Sequence, residues 1–250
     1  MSIRKVDVLE VVSRYAAGFF PLYDIRGRFY WEKLSVRAVV PIDGNAVKKA
    51  ERMAKRSRDQ FEIRYTTAVD QVIANLQRED IKEQSWVKEE VVNIYRDLRR
   101  AGVLQTVEAW SGGQLMGGLL GIVMPGTFIA ETMYGIVPEA SKVCLCQLVQ
   151  DCAAAGFSMI DVQTPHDVDE FGLPRKREGE TAHPCIRLGE VRVGVEVFMR
   201  AFEVAWRRSF RGGVAEWLEV SRGGKLDLLS ETDMRNAQRF LAHTRPPAAQ

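Results

Sequence analysis

Four polar side chains interrupt segments that are otherwise patterned as buried β-strands. Glu108 stands two residues before Trp110, Glu131 lies in a largely apolar run, and Asp161 and Gln163 alternate with apolar residues. Residues two apart in a strand point to the same face, so Asp161 and Gln163 would converge on one cleft, which Glu131 could join from a neighbouring strand. Such a cluster can bind a cationic or amine-bearing substrate. For any single carboxylate, a solvated strand end is the ordinary alternative.

These side chains need a sheet to hold them, and the pattern of the middle of the chain predicts one. Three strands separated by glycine-containing turns indicate an antiparallel meander, at 103–110, 114–124 and 127–134. A helix then ends at Gly156, and a further strand covers 157–163. Two helices, starting near Thr67 and Ser85, precede the meander. This order predicts an α+β fold with a mixed sheet, of the N-acetyltransferase (GNAT) type.

The first sixty residues carry a net positive charge, whereas the rest of the chain carries a net negative charge. Thirteen Lys and Arg against seven Asp and Glu give this part a formal charge of +6, whereas the whole chain carries +2. Asn45 is placed to cap a helix with a basic outer face, which includes Lys48, Lys49, Arg52 and Arg56. A face of this kind fits a polyanion such as nucleic acid, although a solvated helix gives the same count.

The turn before the predicted crossover helix argues against coenzyme A. An acetyltransferase that uses this cofactor presents backbone N–H groups to its pyrophosphate at a glycine-rich turn there. In this chain the junction, residues 134–141, has one glycine and Pro138, which lacks an N–H donor. Gly117 and Gly118 lie within a predicted strand and fit close backbone approach or a bulge. The sequence therefore favours another acyl donor and predicts no cofactor.

The overall composition excludes several classes of protein. Hydrophobic residues make up 46% and charged residues 27% of the chain, which is typical of a globular protein rather than a disordered one. No apolar run approaches the roughly 20 residues of a membrane span. The first residues are too charged for a signal peptide. We therefore expect a cytoplasmic protein without membrane contact.

The cysteines and histidines do not have the spacing of a metal site. The four cysteines show no CxxC pair, and we expect them to be reduced, half-buried thiols: Cys144, Cys146, Cys152 and Cys185. His166 and His183, with Asp167 and Asp169 nearby, fit solvated loop side chains better than metal ligands. The sequence therefore predicts no bound metal.

Short motifs follow one another in a fixed order over residues 8–173. They are YAAGFFP at Tyr15, Trp31, RAV at Arg37, SWV at Ser85, Tyr95 with Leu98, VEAW at Val107, the strand from Leu115 to Gly121, ETMY at Glu131, ASK at Ala140 and IDVQ at Ile160. In this order they resemble the leucyl/phenylalanyl-tRNA protein transferase family. Each motif is short, but their conjunction is specific.

The resemblance implies a domain organisation and a reaction. Members place a small basic N-terminal domain beside a GNAT-like domain. They move leucine or phenylalanine from its tRNA to the N-terminal Arg or Lys of a protein, which marks that protein for degradation through the N-degron pathway. For this chain it implies a basic domain at 1–62, a transferase domain at 63–210 and a C-terminal extension at 211–250. We expect a monomer whose partners are the 3′ end of aminoacyl-tRNA and the acceptor N-terminus.

The resemblance also assigns roles to individual residues. By position, the catalytic residues would be Asp161, Gln163 and Glu131; the substrate-binding residues would be Trp31, Trp110, Met133 and Glu108; and the tRNA-binding residues would be Lys48, Lys49, Arg52 and Arg56. The reaction is aminolysis of an ester, which needs mainly a neutral amine held near the carbonyl. Asp161 could orient the incoming amine, whereas the amide of Gln163 can only form hydrogen bonds.

Departures from the family pattern leave the specificity open. Thr132 and Tyr134 stand where the family has the serine and phenylalanine of ESMF, Val162 replaces a cysteine, and residues 174–190 look inserted. Another aminoacyl group such as methionine, or another acceptor, is therefore an alternative. Two further alternatives are a different acyltransferase on the same scaffold and a catalytically silent module that binds aminoacyl-tRNA or a degron.

Overall fold

The structure is a computed structural model that describes residues 7–24, 26–78, 80, 87–166 and 182–222. Its strands are β1 (Phe20–Tyr23), β2 (Phe29–Glu32), β3 (Val36–Pro41), β4 (Glu62–Tyr65), β5 (Leu104–Ser111), β6 (Gln114–Met124), β7 (Thr127–Gly135), β8 (Met159–Gln163) and β9 (Val191–Gly194). Its helices are α1 (Val8–Ala16), α2 (Gly44–Ala54), α3 (Val69–Leu76), α4 (Glu89–Arg100), α5 (Ala140–Ala154), α6 (Pro184–Leu188), α7 (Val195–Ser209) and α8 (Val214–Arg222).

Seven strands form one mixed sheet in the order β4-β5-β6-β7-β8-β3-β9. Neighbouring strands are antiparallel except β7 and β8, which run parallel. Helix α5 makes the crossover between these two strands, as a parallel pair requires. The predicted α+β class, the mixed sheet and the β5–β6–β7 meander are thus confirmed. Strands β1 and β2 form a separate antiparallel hairpin.

Helices cover the sheet on both sides, which explains why its central strands are apolar on both faces. All of β6 from Gly117 onward is buried, and at Gly121 an added Cβ would lie 2.2 Å from the ring of Phe128. Helix α5 packs against β5, β6 and β7, and α2 packs against α5. Since α5 lies between two layers, it is apolar around most of its circumference.

Two helix ends show how local sequence sets the boundaries. Helix α2 is capped by Asp43, whose carboxylate accepts hydrogen bonds from the N–H groups of Asn45 and Ala46, so the predicted cap at Asn45 is wrong by two residues. Helix α4 ends where Gly102 adopts a left-handed φ of 76°. An added Cβ there would lie 2.5 Å from the carbonyl oxygen of Ser221 in α8, so only glycine fits.

The sheet continues across the boundary predicted at residue 62. Strand β3, from the predicted N-terminal domain, lies between β8 and β9. One hydrophobic core likewise runs through α1, β3, α2 and the meander. The start of the predicted C-terminal extension belongs to the same core, because Trp217 of α8 is buried against Trp206 and Phe210. Residues 223–250 of that extension lie outside the described residues.

Strand β9 and helix α6 were not predicted from the sequence. Residues 174–190 look inserted in the sequence, whereas in the structure α6 forms at 184–188 and β9 follows before α7. The four residues of β9 are exposed or half-buried at the edge of the sheet, so they show little strand pattern. The remainder of the predicted insertion, 174–181, lies outside the described residues.

All four cysteines are free thiols, as predicted, but each is buried rather than half-buried. Among the residues that the structure describes, no helix combines the length and the apolar character needed to cross a bilayer.

Candidate active site

Gln163 ends β8 in a backbone conformation that is uncommon for a residue with a side chain. Its φ is 64°, and the N–H of Thr164 donates to the carbonyl of Val162 at 2.8 Å, so Gln163 is the centre of a γ-turn. A left-handed residue other than glycine costs energy and persists where the surroundings hold it. This turn redirects the chain at the point where the sequence placed the candidate site.

Glu131 receives three hydrogen bonds from side chains of three different elements. Its Oε1 accepts from Nε2 of Gln163 at 2.6 Å, and its Oε2 accepts from the hydroxyls of Tyr15 in α1 at 3.1 Å and Tyr95 in α4 at 3.2 Å. The pairing of β7 with β6 shifts at this residue, because Ala130 and Thr132 pair with consecutive residues of β6 and leave Glu131 unpaired. A bulge of this kind re-aims a side chain next to a functional site.

The environment of Glu131 brings its titration close to neutral pH. Burial raises the pKa of this carboxyl to about 7, while the hydrogen bonds from Tyr15, Tyr95 and Gln163 partly oppose the rise and the nearby Asp161 adds to it. Burial also raises the pKa of both tyrosines well above the usual value, so they remain hydrogen-bond donors. Glu131 can therefore gain or lose a proton near pH 7.

Asp161 is fully buried and has partners inside the protein. Its Oδ2 forms an ion pair with Arg37 of β3, and its Oδ1 accepts from the backbone N–H of Gln163 at 2.9 Å. The guanidinium of Arg37 lies between two aromatic rings, 4.9 Å from the centroid of Phe20 and 4.9 Å from that of Phe198. Asp161 thus holds Arg37 and the γ-turn of Gln163 at the same time.

Trp31, predicted to bind substrate, lies beside this cluster. Its ring packs edge-on against Tyr15, with 5.4 Å between the ring centroids, and the guanidinium of Arg14 lies 5.4 Å from it. Since Tyr15 donates to Glu131, Trp31 is linked to this predicted catalytic residue through one intervening side chain.

The carboxylate of Glu108 is occupied by hydrogen bonds from within the protein, which the sequence did not indicate. It is fully buried and accepts hydrogen bonds from the hydroxyl of Thr67, the N–H of Ala68 at 2.9 Å, the hydroxyl of Thr106 at 2.7 Å and the indole N–H of Trp110 at 3.2 Å. Four donors occupy the acceptor positions of a carboxylate. Glu108 therefore anchors the start of α3 and the ring of Trp110, and has no position left for a substrate.

Met133 faces the side of the sheet opposite to Glu108. Tyr65, Val107, Leu119 and Met133 are in register across four strands, and the hydroxyl of Tyr65 bonds to Asp151 of α5. This row therefore faces α5. Glu108 belongs to the alternate row, whose member Tyr134 bonds to Asn75 of α3 at 3.0 Å. The predicted pocket wall of Trp31, Trp110 and Met133 is thus not brought together on one face.

Three of the predicted tRNA-binding residues, Lys48, Lys49 and Arg52, lie on α2, and Arg56 lies two residues beyond its end. Lys48, Arg52 and Arg56 are exposed, and Lys49 is half-buried. Arg187 of α6 joins Lys49, Arg52 and Met53 around a cavity of about 380 Å³. The sequence did not indicate Arg187, because nothing in its spacing ties it to α2.

Comparison with known proteins shows to which family the chain belongs. The family model described as leucyl/phenylalanyl-tRNA protein transferase matches residues 39–175, a span that includes Glu131, Asp161 and Gln163. The chain belongs to this family. It is 37% identical over 186 residues to the leucyl/phenylalanyl-tRNA–protein transferase of Gloeobacter violaceus, which covers 70% of this chain and 94% of that protein.

A second family relative gives a similar result. The leucyl/phenylalanyl-tRNA–protein transferase of Herpetosiphon aurantiacus is 36% identical over 158 residues, 62% of this chain and 81% of that protein. This member of the family is therefore an enzyme, a transferase that depends on aminoacyl-tRNA. Among solved structures, a C-terminal domain (DUF2156) of a lysylphosphatidylglycerol synthetase from Agrobacterium fabrum aligns over 62% of this chain and 51% of its own, with 12% identity and a TM-score of 0.37. A likeness this weak carries no argument.

Sequence reasoning missed three residues of the candidate site: Tyr15, Tyr95 and Arg37. The two tyrosines fall on the apolar stripes of α1 and α4, where a buried tyrosine is ordinary. Arg37 gave a usable signal, because a cation inside the apolar strand 36–41 needs a buried partner of opposite charge.

Proposed function

We propose that this enzyme transfers leucine or phenylalanine from the 3′ end of aminoacyl-tRNA to the N-terminal Arg or Lys of acceptor proteins, which marks them for degradation. The observation that carries the proposal is the pair Glu131–Gln163. Strands β7 and β8 pair only over Thr127–Ile129 and Met159–Asp161, and both residues lie just beyond that pairing. Two polar side chains on diverging strands form a site that an extended acceptor N-terminus can enter.

The same divergence supports a GNAT-like scaffold. Strands β5, β6 and β7, the crossover helix α5 and the parallel strand β8 follow the order expected for it. The turn before α5 contains Pro138, and the residue before the helix, Glu139, has a left-handed φ of 74°. Neither residue supplies a row of free N–H groups for a pyrophosphate, which favours an aminoacyl ester over a coenzyme A thioester as the donor.

The reaction forms one bond and breaks one. The α-amine of the acceptor attacks the ester carbonyl, an N–C bond forms, and the ester C–O bond breaks as the tRNA 3′ oxygen leaves with a proton. A peptide N-terminus has a pKa near 8, so it must lose a proton before it attacks. Glu131, with a pKa of about 7, is matched to take that proton at neutral pH.

We assign contact with the amine to Glu131 and Gln163, and a positioning role to Asp161. Glu131 and Gln163 are each 7% exposed, whereas Asp161 is 0% exposed and paired with Arg37. The Oε1 of Glu131 accepts one hydrogen bond from the described residues, so a second acceptor position remains for the amine. Asp161 acts on the reaction by holding the γ-turn of Gln163.

The charge distribution supports the two proposed partners. The basic residues of α2, together with Arg187, fit the phosphates near the acceptor end of tRNA. The carboxylate of Glu131 fits an acceptor that brings a cationic side chain and an amine. We infer that the enzyme acts as a monomer in the cytoplasm, where aminoacyl-tRNA is made, and that Trp31 contributes to an apolar recess for the aminoacyl group.

The test is direct transfer. The full chain is mixed with tRNA charged with radiolabelled Leu, Phe or Met and with peptides that begin with Arg, Lys, Asp or Glu. Label from Leu and Phe is expected in the Arg and Lys peptides only. Gln163→Ala should lower the rate by about 100-fold, while Gln71→Ala, on an exposed position of α3, should not change it. Absence of label from every peptide would make the protein a binding module.

A further inference from the structure

Two histidines, one cysteine and one glutamate meet where the chain leaves β8 and returns through α6 to β9. His166 follows β8, His183 and Cys185 lie at the start of α6, and Glu190 directly precedes β9. One possible ligand atom from each lies within 4.8 Å of the other three. The four side chains come from both sides of residues 167–181, which the structure does not describe. None of the four is a hydrogen-bond partner of Glu131 or one of the basic residues around α2.

The contacts within this group, the His166 cluster, hold its members close together. The imidazole rings of His166 and His183 are stacked, with centroids 3.7 Å apart and planes 7° apart. The backbone N–H of His166 donates to Oε1 of Glu190 at 2.9 Å, and the ring Nδ1 of His166 lies 2.6 Å from Oε2 of Glu190. The N–H of Cys185 donates to Nδ1 of His183 at 3.3 Å, a long hydrogen bond that a metal ion can replace.

Burial makes a positive charge at this place favourable. The side chain of Glu190 is 3% exposed and that of His166 is 23% exposed, and Cys185 is 3% exposed. A buried carboxylate needs a compensating charge or metal coordination. A protonated His166 would supply a single positive charge. A divalent ion would instead be balanced by the carboxylate of Glu190 and by the thiolate that Cys185 becomes when it coordinates a metal.

The donor set fits zinc better than other common ions. Imidazole nitrogen, thiolate sulfur and carboxylate oxygen are the ligands of Zn²⁺, whereas Mg²⁺ and Ca²⁺ take oxygen ligands. In a tetrahedral zinc site with bonds of roughly 2.0–2.3 Å, ligand atoms lie roughly 3.3–3.8 Å apart. The four ligand atoms lie within 4.8 Å of one another, so the longest of their separations would shorten by about 1 Å when zinc binds. Rotation of the two imidazole rings out of their stacked arrangement can supply this movement.

Two other roles for these residues fit less well. Burial and the nearby Glu190 raise the pKa of the Cys185 thiol, so this cysteine is a poor nucleophile and a poor redox sensor when no metal is present. A His166–Glu190 pair could act as a catalytic base, but a second imidazole stacked at 3.7 Å has no purpose in such a pair.

We propose that His166, His183, Cys185 and Glu190 bind one zinc ion, which fastens the end of β8 to α6 and the start of β9. The ion would join the segment that precedes residues 167–181 to the segment that follows them. The ion would also hold the short segment between Gln163, the centre of the γ-turn, and His166 in place. The zinc site is structural in this proposal and does not depend on which aminoacyl group or acceptor the enzyme uses.

The first experiment measures zinc on the full chain, purified without a histidine tag. Elemental analysis after incubation with Zn²⁺ and gel filtration should give one zinc per chain. Removal by a chelator and titration against a chromophoric competitor should give a dissociation constant below about 0.1 µM. Substitution with Co²⁺ should produce a thiolate-to-metal charge-transfer band and the intense ligand-field bands of a tetrahedral site. A wild-type chain that binds no zinc, or a Co²⁺ spectrum without the thiolate band, would overturn the proposal.

Variants then locate the ion. His183→Asn keeps a side chain that can cap α6, and Cys185→Ser keeps the size of the thiol. Each should weaken zinc binding by about 100-fold or more, and Glu190→Gln by about 10-fold or more. The matched control is Cys152→Ser, at a buried cysteine of α5 outside the cluster, which should keep one zinc per chain. Circular dichroism checks that each variant is folded. Zinc binding that is unchanged in folded His183→Asn and Cys185→Ser would place the ion elsewhere and refute the site.

Discussion

The ion pair between Arg37 and Asp161 makes a quantitative prediction about one substitution. Asp161→Asn keeps the size of the side chain and removes its charge. Arg37 then remains as an uncompensated cation that is 1% exposed and enclosed by Phe20 and Phe198. No water can replace the lost carboxylate without opening the contact between β3 and β8.

The size of the effect follows from this burial. Removing one partner of a buried ion pair costs about 3–5 kcal/mol, because the other charge stays buried and unpaired. For a chain of this length that corresponds to a fall in Tm on the order of 10 °C. Arg37→Met combined with Asp161→Asn removes both charges and places a flexible apolar side chain between the two rings. We expect the double variant to recover most of the stability lost in Asp161→Asn.

The assay is urea unfolding of the wild type, both single variants and the double variant, followed by circular dichroism. The coupling energy between the two positions should be at least about 2 kcal/mol. Glu203→Gln is the control, because Glu203 pairs with Arg207 on an exposed face of α7 and its loss should cost less than about 1 kcal/mol. If Asp161→Asn unfolds at the same urea concentration as the wild type, or if the two single effects add, the ion pair does not hold β3 to β8.

Transfer activity of the same variant tests the positioning role. Below its unfolding temperature, Asp161→Asn should transfer about 100-fold more slowly, because the side chain that accepts the hydrogen bond from the N–H of Gln163 is no longer anchored by the ion pair with Arg37, while charged tRNA should bind as before. Wild-type turnover in a folded Asp161→Asn variant would show that Asp161 neither positions Gln163 nor contacts the amine.

Two further predictions concern Glu131 and α2. The pKa of Glu131 rises from 4.5 to about 7 on folding, so the folded state binds more protons in that range and its stability should fall by about 3 kcal/mol as pH rises from 4.5 to 8. Urea unfolding of Glu131→Gln at pH 5 and pH 8 should show a weaker dependence of stability on pH, and an unchanged dependence would contradict the prediction. Neutralising Lys48, Lys49, Arg52 and Arg56 together should weaken binding of charged tRNA. The slope of the logarithm of the binding constant against the logarithm of salt concentration, measured by filter binding, should fall by up to about 3 units. Unchanged affinity and slope would show that these residues do not contact the tRNA.

The part of the fold that could be predicted is the part built from neighbours in sequence. Strands β5, β6 and β7 follow one another through tight glycine-containing turns, and α5 returns the chain to β8, so alternation and turn residues were sufficient. Strand β3 pairs with β8 and β9, which lie far away in the chain, and no local pattern encodes that pairing. The expectation of a separate domain at 1–62 came from the family resemblance, and no local pattern could indicate that β3 joins the sheet.

The site was predictable where it depends on side-chain type and not where it depends on backbone irregularity. The sequence singled out Asp161, Gln163 and Glu131 by their polar side chains in apolar strands, and the three lie close together in the structure. The γ-turn at Gln163 and the bulge at Glu131 could not be predicted, since both break the regular alternation on which the inference rested. Glu108 shows the same limit, because a buried carboxylate with four donors looks identical in sequence to one that awaits a substrate.

The position of β3 also decides when the enzyme can become active during its synthesis. Ala38, Val39 and Val40 leave the ribosome long before their partner strand, which begins at Met159. At roughly 5–20 residues per second, the intervening chain takes on the order of 10 s to synthesise. During that time an apolar strand and the future partner of Asp161 have no sheet to join. Arg37 and Asp161 can meet only when most of the chain has emerged, so an incomplete chain lacks this ion pair.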